Sequence, residues 1–105
     1  MTDLSNININ YDKMIRQAEA IEEAAGRLEN LNRTEEADFE GTLKTAWEGE
    51  NATLFQAKSA ERRARKEEVI EKLRANARSI RKAAEDYKQA EIAALEIIET
   101  VNTLG

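Results

Sequence analysis

The stretch Trp47-Glu48-Gly49-Glu50-Asn51 is the only strong interruption of helical pattern in the middle of the chain. Gly49 can adopt the left-handed backbone conformation that ends many helices. Asn51 is a residue type that caps the first turn of a following helix. The sequence therefore predicts a turn over residues 47–51, at which the chain folds back on itself.

The composition on either side of this turn is typical of long helices. The 105 residues include no Pro, Cys or His, and more than half of them are Ala, Glu, Lys, Leu or Arg. Without Pro, nothing forbids helices of many turns. We predict a single all-α domain over residues 1–105, a two-helix antiparallel hairpin with helix 1 over about 10–46 and helix 2 over about 52–101.

Apolar side chains recur every three or four residues, which places them on one face of each helix. In the first half these are Tyr11, Met14, Ile15, Ala18, Ile21, Ala25, Leu28 and Leu31, then Phe39, Leu43, Ala46 and Trp47. In the second half they are Ile70, Leu73, Ala77, Ile80, Ala84, Tyr87, Ala94, Ile98 and Val101. We expect the seam within and between hairpins to contain Met14, Ile21, Leu28, Phe39, Leu43, Phe55, Ile70, Leu73, Ile80 and Ala84.

Residues 1–9 show no helical stripe, because Asn alternates with Ile there. They are predicted to form an arm, and Asn10 is predicted to cap the first helix.

Charge complementarity supports the fold-back. In antiparallel helices joined by this turn, facing residues have numbers that add up to roughly 97. The acidic residues of the segment 35–40 then lie beside the basic residues of the segment 58–65. Exposed ion pairs contribute little stability, so we expect this polar section to set the register and orientation of the helices.

Several functional classes are disfavoured. A general acid or base needs a pocket, and a chain of thin helices without His, Cys or a Gly-rich loop offers none. We therefore predict no enzyme, no cofactor and no metal site. Residues 1–10 lack the basic and apolar regions of a cleaved signal peptide, and the apolar stretch 92–98 is too short to span a bilayer.

Two alternatives stay open beside the interpretation given next. The chain could be an intracellular structural coiled coil that binds other helices. More remotely, the basic cluster Arg62–Lys66 could bind nucleic acid. The chain as a whole is acidic and offers a matching acidic segment, which favours intramolecular pairing of that cluster and no nucleic-acid partner.

Two motifs resemble those of the WXG-hundred family, the relatives of the early secreted antigenic target of mycobacteria. Trp47-Glu48-Gly49 matches the family's Trp-x-Gly turn, and Tyr87-Lys88-Gln89-Ala90-Glu91 matches its Tyr-x-x-x-Asp/Glu export motif. Either motif alone is common. The resemblance also covers the length of the chain and the hairpin layout.

The resemblance implies a non-catalytic protein, made in a bacterial cytoplasm and exported folded by a type VII secretion system without a cleaved signal. It implies dimerisation, with itself or a related protein, into an antiparallel four-helix bundle. The membrane ATPase of the system would be a further partner, and a larger toxin is a further candidate.

The resemblance makes Trp47, Gly49, Tyr87 and Glu91 the export residues. Trp47 and Tyr87 are separated by roughly 60 Å of helix, so a joint signal requires the opposite chain of a dimer. We also expect the apolar tail 92–104 to dock on a partner, with Ile7 and Ile9 covering part of it at rest.

Overall fold

The computed structural model of the chain describes residues 3–43 and 50–104, with side chains over 3–41 and 53–104. Within these ranges every residue except Asp3 is helical. Helix α1 spans Leu4–Asp38 and continues as a π-helical segment over Phe39–Leu43, and helix α2 spans Glu50–Leu104. The chain is therefore an all-α hairpin of two long helices, as the sequence predicts.

The predicted arm over residues 1–9 and the predicted cap at Asn10 are wrong for the described residues. α1 begins at Leu4, and Asp3 caps it. The Asp3 Oδ1 atom accepts a hydrogen bond from the Asn6 N–H at 2.8 Å, and the Asp3 carbonyl accepts one from the Ile7 N–H at 3.0 Å.

The physical reason for this early start is the burial of Ile7. Ile7 stands four residues before Tyr11 and extends the apolar stripe by one turn, and its side chain is fully buried. Ile9 lies off the stripe and is half exposed. The alternation of Asn and Ile is therefore compatible with a helix that buries only one of the two isoleucines.

The regular α-helix of α1 ends at Asp38, and the next five residues adopt the wider π-helical turn. The predicted end of this helix near residue 46 lies outside the described residues. α2 already includes Glu50 and Asn51, so these two residues belong to the helix and not to the turn. It continues to Leu104, three residues past the approximate predicted end at 101, and no Pro or Gly opposes it between residues 50 and 104.

The described residues cluster into two compact units. Unit 1 consists of residues 3–21 and 75–104, and unit 2 consists of residues 22–43 and 50–74. Each unit contains one segment of α1 and one of α2. In unit 2 the helices run antiparallel, because Glu29 pairs with Arg74 while Phe39 stacks on Phe55. The assignment of residues 1–105 to one domain stays a prediction.

Most of the buried apolar side chains are alanines. Those of unit 1 are Ile7, Ala18, Ala77 and Ala84, and those of unit 2 are Ala25 and Ile70. The distance between packed helices depends on the side chains at their contact, so alanine brings the two backbones close together. It also buries little apolar area, so each contact adds little hydrophobic stabilisation.

Buried positions recur at seven-residue intervals, the repeat of coiled-coil packing. They are Ala18, Ala25 and Asn32 on α1, and Ile70, Ala77 and Ala84 on α2. Leu31, a member of the predicted stripe, is 56% exposed, whereas Asn32 is buried. Both residues satisfy a three- or four-residue step from Leu28, but only Asn32 continues the seven-residue repeat.

Replacing Asp3 by Ala should fray the first turn of α1. The substitution removes the acceptor for the Asn6 N–H, and loss of such a cap costs about 0.5–2 kcal/mol. Hydrogen exchange followed by NMR should show faster exchange of the Asn6 and Ile7 amides. Asp3→Asn is the matched control, since Asn caps equally well, and equal exchange in both variants would contradict the assignment.

Candidate functional site

Tyr87 and Glu91 lie one helical turn apart on α2, in unit 1, and both side chains are partly exposed. The Tyr87 hydroxyl accepts a hydrogen bond from Asn10 Nδ2 at 3.0 Å. Residues four apart share one face of a helix, so the Glu91 carboxylate stands on the same side as the phenol. The predicted export motif is thus an accessible acidic and aromatic pair, and α1 holds the hydroxyl of its tyrosine.

The residues next to this hydrogen bond make a second contact. Lys88 Nζ lies 4.5 Å from the centroid of the Tyr11 ring, a cation–π geometry. Because Asn10 and Tyr11 are consecutive, as are Tyr87 and Lys88, the two contacts join one turn of α1 to one turn of α2. The apolar stripes do not predict these two contacts. The predicted register could have indicated them, because it places residue 10 opposite residue 87.

The other predicted half of the export signal, Trp47 and Gly49, lies outside the described residues. On either side of it, Phe39 in the π-helical segment stacks on Phe55 of α2. The ring centroids are 5.7 Å apart and the ring planes differ by 26°. In unit 2 the two helices are therefore still paired at the level of this aromatic contact.

The ten predicted seam residues are spread over both units. Ile70 and Ala84 are buried. Met14, Ile21, Leu28, Phe39, Phe55, Leu73 and Ile80 are partly exposed, and the side chain of Leu43 lies outside the described ones. Partial exposure leaves apolar area available to a second chain, and the role of these residues in a seam between chains stays a prediction.

Ion pairs join the two helices of unit 2. Lys66 Nζ lies 2.7 Å from both carboxylate oxygens of Glu35. Arg74 pairs with Glu29, which also pairs with Arg33 one turn further along α1. An acidic section of α1 therefore faces a basic section of α2. Lys66 belongs to the basic cluster Arg62–Lys66, whereas Arg74 lies beyond it.

These cations shift the acidities of their partners. The hydrogen bond from Arg74, helped by the charges of Arg74 and Arg33, lowers the pKa of Glu29 below its usual 4.5. The hydrogen bond from Lys66 is the main cause that lowers the pKa of Glu35. Both carboxylates are therefore easier to ionise in the folded chain than in the unfolded one.

Acid should weaken the hairpin through these two groups. A carboxylate with a lowered folded pKa contributes stability above its unfolded pKa and loses it as pH falls through the folded value. The Tm of the wild type should thus fall as pH is lowered from neutral to below 4.5. The variant Glu29→Gln with Glu35→Gln should melt lower than wild type at neutral pH, and the difference should vanish in acid.

Thermal melts followed by circular dichroism across this pH range make the comparison. Glu68→Gln is the matched control, since Glu68 is exposed on α2 and its loss should leave the pH profile nearly unchanged. A difference between wild type and double variant that stays constant with pH would contradict the assignment.

An open groove of about 670 Å³ runs along unit 2. Its lining comprises Glu29, Asn32, Arg33, Glu36, Ala60, Arg63, Ala64, Glu67, Ile70, Glu71 and Arg74. Charges of both signs stand around small and apolar side chains, which suits contact with another protein surface. Among the described residues no group of three or more side chains could hold a metal ion, and no described helix is apolar enough over a sufficient length to cross a membrane.

The described residues thus form an all-helical hairpin that carries an accessible Tyr87–Glu91 pair and an open groove of mixed charge. A family model described as proteins of 100 residues with WXG matches residues 6–92, which include both motifs. The chain belongs to this family, the WXG-hundred family, and is a small protein associated with type VII secretion. No curated protein and no solved structure matches the chain.

Proposed function

We propose that the chain is exported as a homodimer by a type VII secretion system, without a cleaved signal. It acts as a secreted dimer, as a core component of the machine, or as the targeting partner of a larger effector. The observation that carries this proposal is the family match, because residues 6–92 include both the Trp-x-Gly and the Tyr-x-x-x-Glu motif. Two motifs on one chain favour self-pairing, since a hetero-pair could divide them.

The geometry of Tyr87 and Glu91 supports a recognition role. Their side chains are partly exposed, so another protein can reach them, and the bond from Asn10 restricts the phenol. In an antiparallel dimer, Trp47 of one chain would stand near Tyr87 and Glu91 of the other. The membrane ATPase would then read a signal that exists only in the assembled dimer.

The groove of unit 2 offers a face for the second copy. An interface built around a two-fold axis uses the same patch on both chains, so the patch must be complementary to itself. Four glutamates and three arginines line this groove beside Ala60 and Ala64. A patch that carries both signs meets this requirement, whereas a patch of one sign would repel its own copy.

The end of α2 offers a second docking surface. Ile97 is 65% exposed and Leu104 is 84% exposed, and Ile98 and Val101 are also more than half exposed. The sequence predicts that Ile7 and Ile9 cover part of this apolar tail. Ile9 is itself half exposed, and the four tail residues remain more than half exposed, so the tail stays open to a partner. No Lys or Arg follows Lys88 in the sequence, which disfavours an anionic lipid surface and favours an apolar, basic-rimmed surface on the ATPase.

A dimer should be measurable directly. Sedimentation equilibrium at micromolar concentration should give twice the chain mass of 11.9 kDa.

Ala64→Glu adds a like charge beside the glutamates of the groove and should raise the dimer dissociation constant. Ala83→Glu, at an exposed alanine of α2 outside the groove, should not. A stable wild-type monomer would contradict self-pairing, and equal dimers in both variants would contradict the choice of face.

Export should depend on both motifs. Trp47→Ala and Tyr87→Ala should each abolish the appearance of the protein in the culture medium while leaving its helicity and intracellular amount near wild type. The readout is an immunoblot of medium and cell fractions, with a cytoplasmic marker to exclude lysis.

The matched control for export is Glu68→Ala, an exposed glutamate of α2 outside the motif, compared with Glu91→Ala within it. The control should be exported normally. Normal export of the Trp47 and Tyr87 variants would refute the export role, and a wild-type chain that never leaves the cell would favour a structural coiled coil instead.

A further inference from the structure

Asn32 is the buried polar residue among the described side chains, with only 7% of its surface exposed. Its Nδ2 atom donates a hydrogen bond to the Arg63 carbonyl on α2 at 3.3 Å. Its Oδ1 atom is buried and accepts no hydrogen bond from any described residue. A buried acceptor without a donor destabilises the folded state, so a hydrophobic side chain here would give a more stable chain.

The position of Asn32 in the seven-residue repeat suggests why a destabilising polar residue is buried here. Asn32 follows Ala25 by seven residues, and Arg63 precedes Ile70 by seven, so both stand one heptad beyond a buried apolar residue. Layers of small apolar side chains resemble one another and discriminate poorly between registers that differ by one heptad. A polar residue at one such position specifies register at a cost in stability.

The surroundings of Arg63 explain why Asn32 pairs there. Ala60 and Ala64 flank it along the groove, and their small side chains leave the helix backbone accessible. A shift of seven residues towards the C-terminus of α2 would carry the Asn32 amide to the level of Ile70. There Glu67 and Glu71 stand in the places of Ala60 and Ala64, and the Ile70 side chain is 4% exposed. These larger side chains would hinder the access of the amide to the main-chain carbonyl.

We propose that Asn32 is the specificity-determining residue of the hairpin, and that its contact with the Arg63 carbonyl selects one register of α1 on α2 in unit 2. The ion pairs of Glu35 with Lys66 and of Glu29 with Arg74 support the same register. Their side chains are 31–45% exposed, so solvent still weakens their discrimination between registers, whereas Asn32 is only 7% exposed. The proposal does not depend on export.

The absence of Cys from the chain makes the test direct, because spin labels attach only where cysteines are introduced. Ala37→Cys on α1 and Lys72→Cys on α2 provide two exposed sites within unit 2. Double electron–electron resonance on full-length chains, diluted with unlabelled chains, reports their separation. The wild-type background should give one narrow distance.

Asn32→Leu should add a second distance, because a slip by one heptad moves one helix by about 10.5 Å along the other. Its Tm should nevertheless rise, by roughly 4–8 °C. Asn30→Leu, at an exposed position two residues away, should change neither the distance nor its width. If the leucine variant does not fold, the same distance is measured in Asn32→Ala, which removes the amide without adding bulk.

One narrow, unshifted distance in a folded Asn32 variant would overturn the proposal. A lowered Tm in the leucine variant with an unchanged distance would show that the amide only stabilises the fold. Equal broadening in the Asn30 variant would show that added apolar surface, and not loss of the amide, causes the slip, and would overturn it too.

Discussion

The close approach of two helix backbones over small side chains is the contact on which the other features depend. Alanines supply four of the six buried apolar residues among the described side chains, Ala18, Ala77 and Ala84 in unit 1 and Ala25 in unit 2. Because the helices approach closely, short polar side chains can reach across. Asn10 reaches the Tyr87 hydroxyl, and Asn32 reaches a main-chain carbonyl. Larger core residues would have stabilised the pairing more but held these groups apart.

Because the apolar contact between the helices is small, polar groups determine their register. Alanine layers contribute little area and look alike from one heptad to the next, so they do not select a register alone. In unit 2 the selection falls to a buried amide and to carboxylates whose pKa neighbouring cations lower. Apolar packing makes the helices associate, and polar contacts decide which residues face each other.

This division fits the proposed role of a protein that a secretion system recognises. The accessible Tyr87 and Glu91, the mixed-charge groove and the exposed apolar end of α2 are all surfaces, and a hairpin with a thin seam keeps many such surfaces available. Family membership associates the chain with type VII secretion. The proposed dimer would bring distant surfaces of two chains together, which gives a physical reason to couple export to assembly.

The sequence by itself determined the helical hairpin, the apolar faces, the opposition of acidic and basic sections and the family, because spacing, composition and two motifs are local properties. It misplaced the start of α1, since the burial of Ile7 depends on a partner surface that the local Asn/Ile pattern does not reveal. The apolar pattern also assigned Leu31, and not Asn32, to the packed face of α1, because leucine is the more hydrophobic of the two. Only the tertiary structure decided that the heptad position, occupied by an asparagine, faces α2. Burial depends on the packing of segments that are distant in sequence. A polar residue such as Asn32 can therefore be buried where it has a hydrogen-bond partner, although its affinity for water predicts exposure.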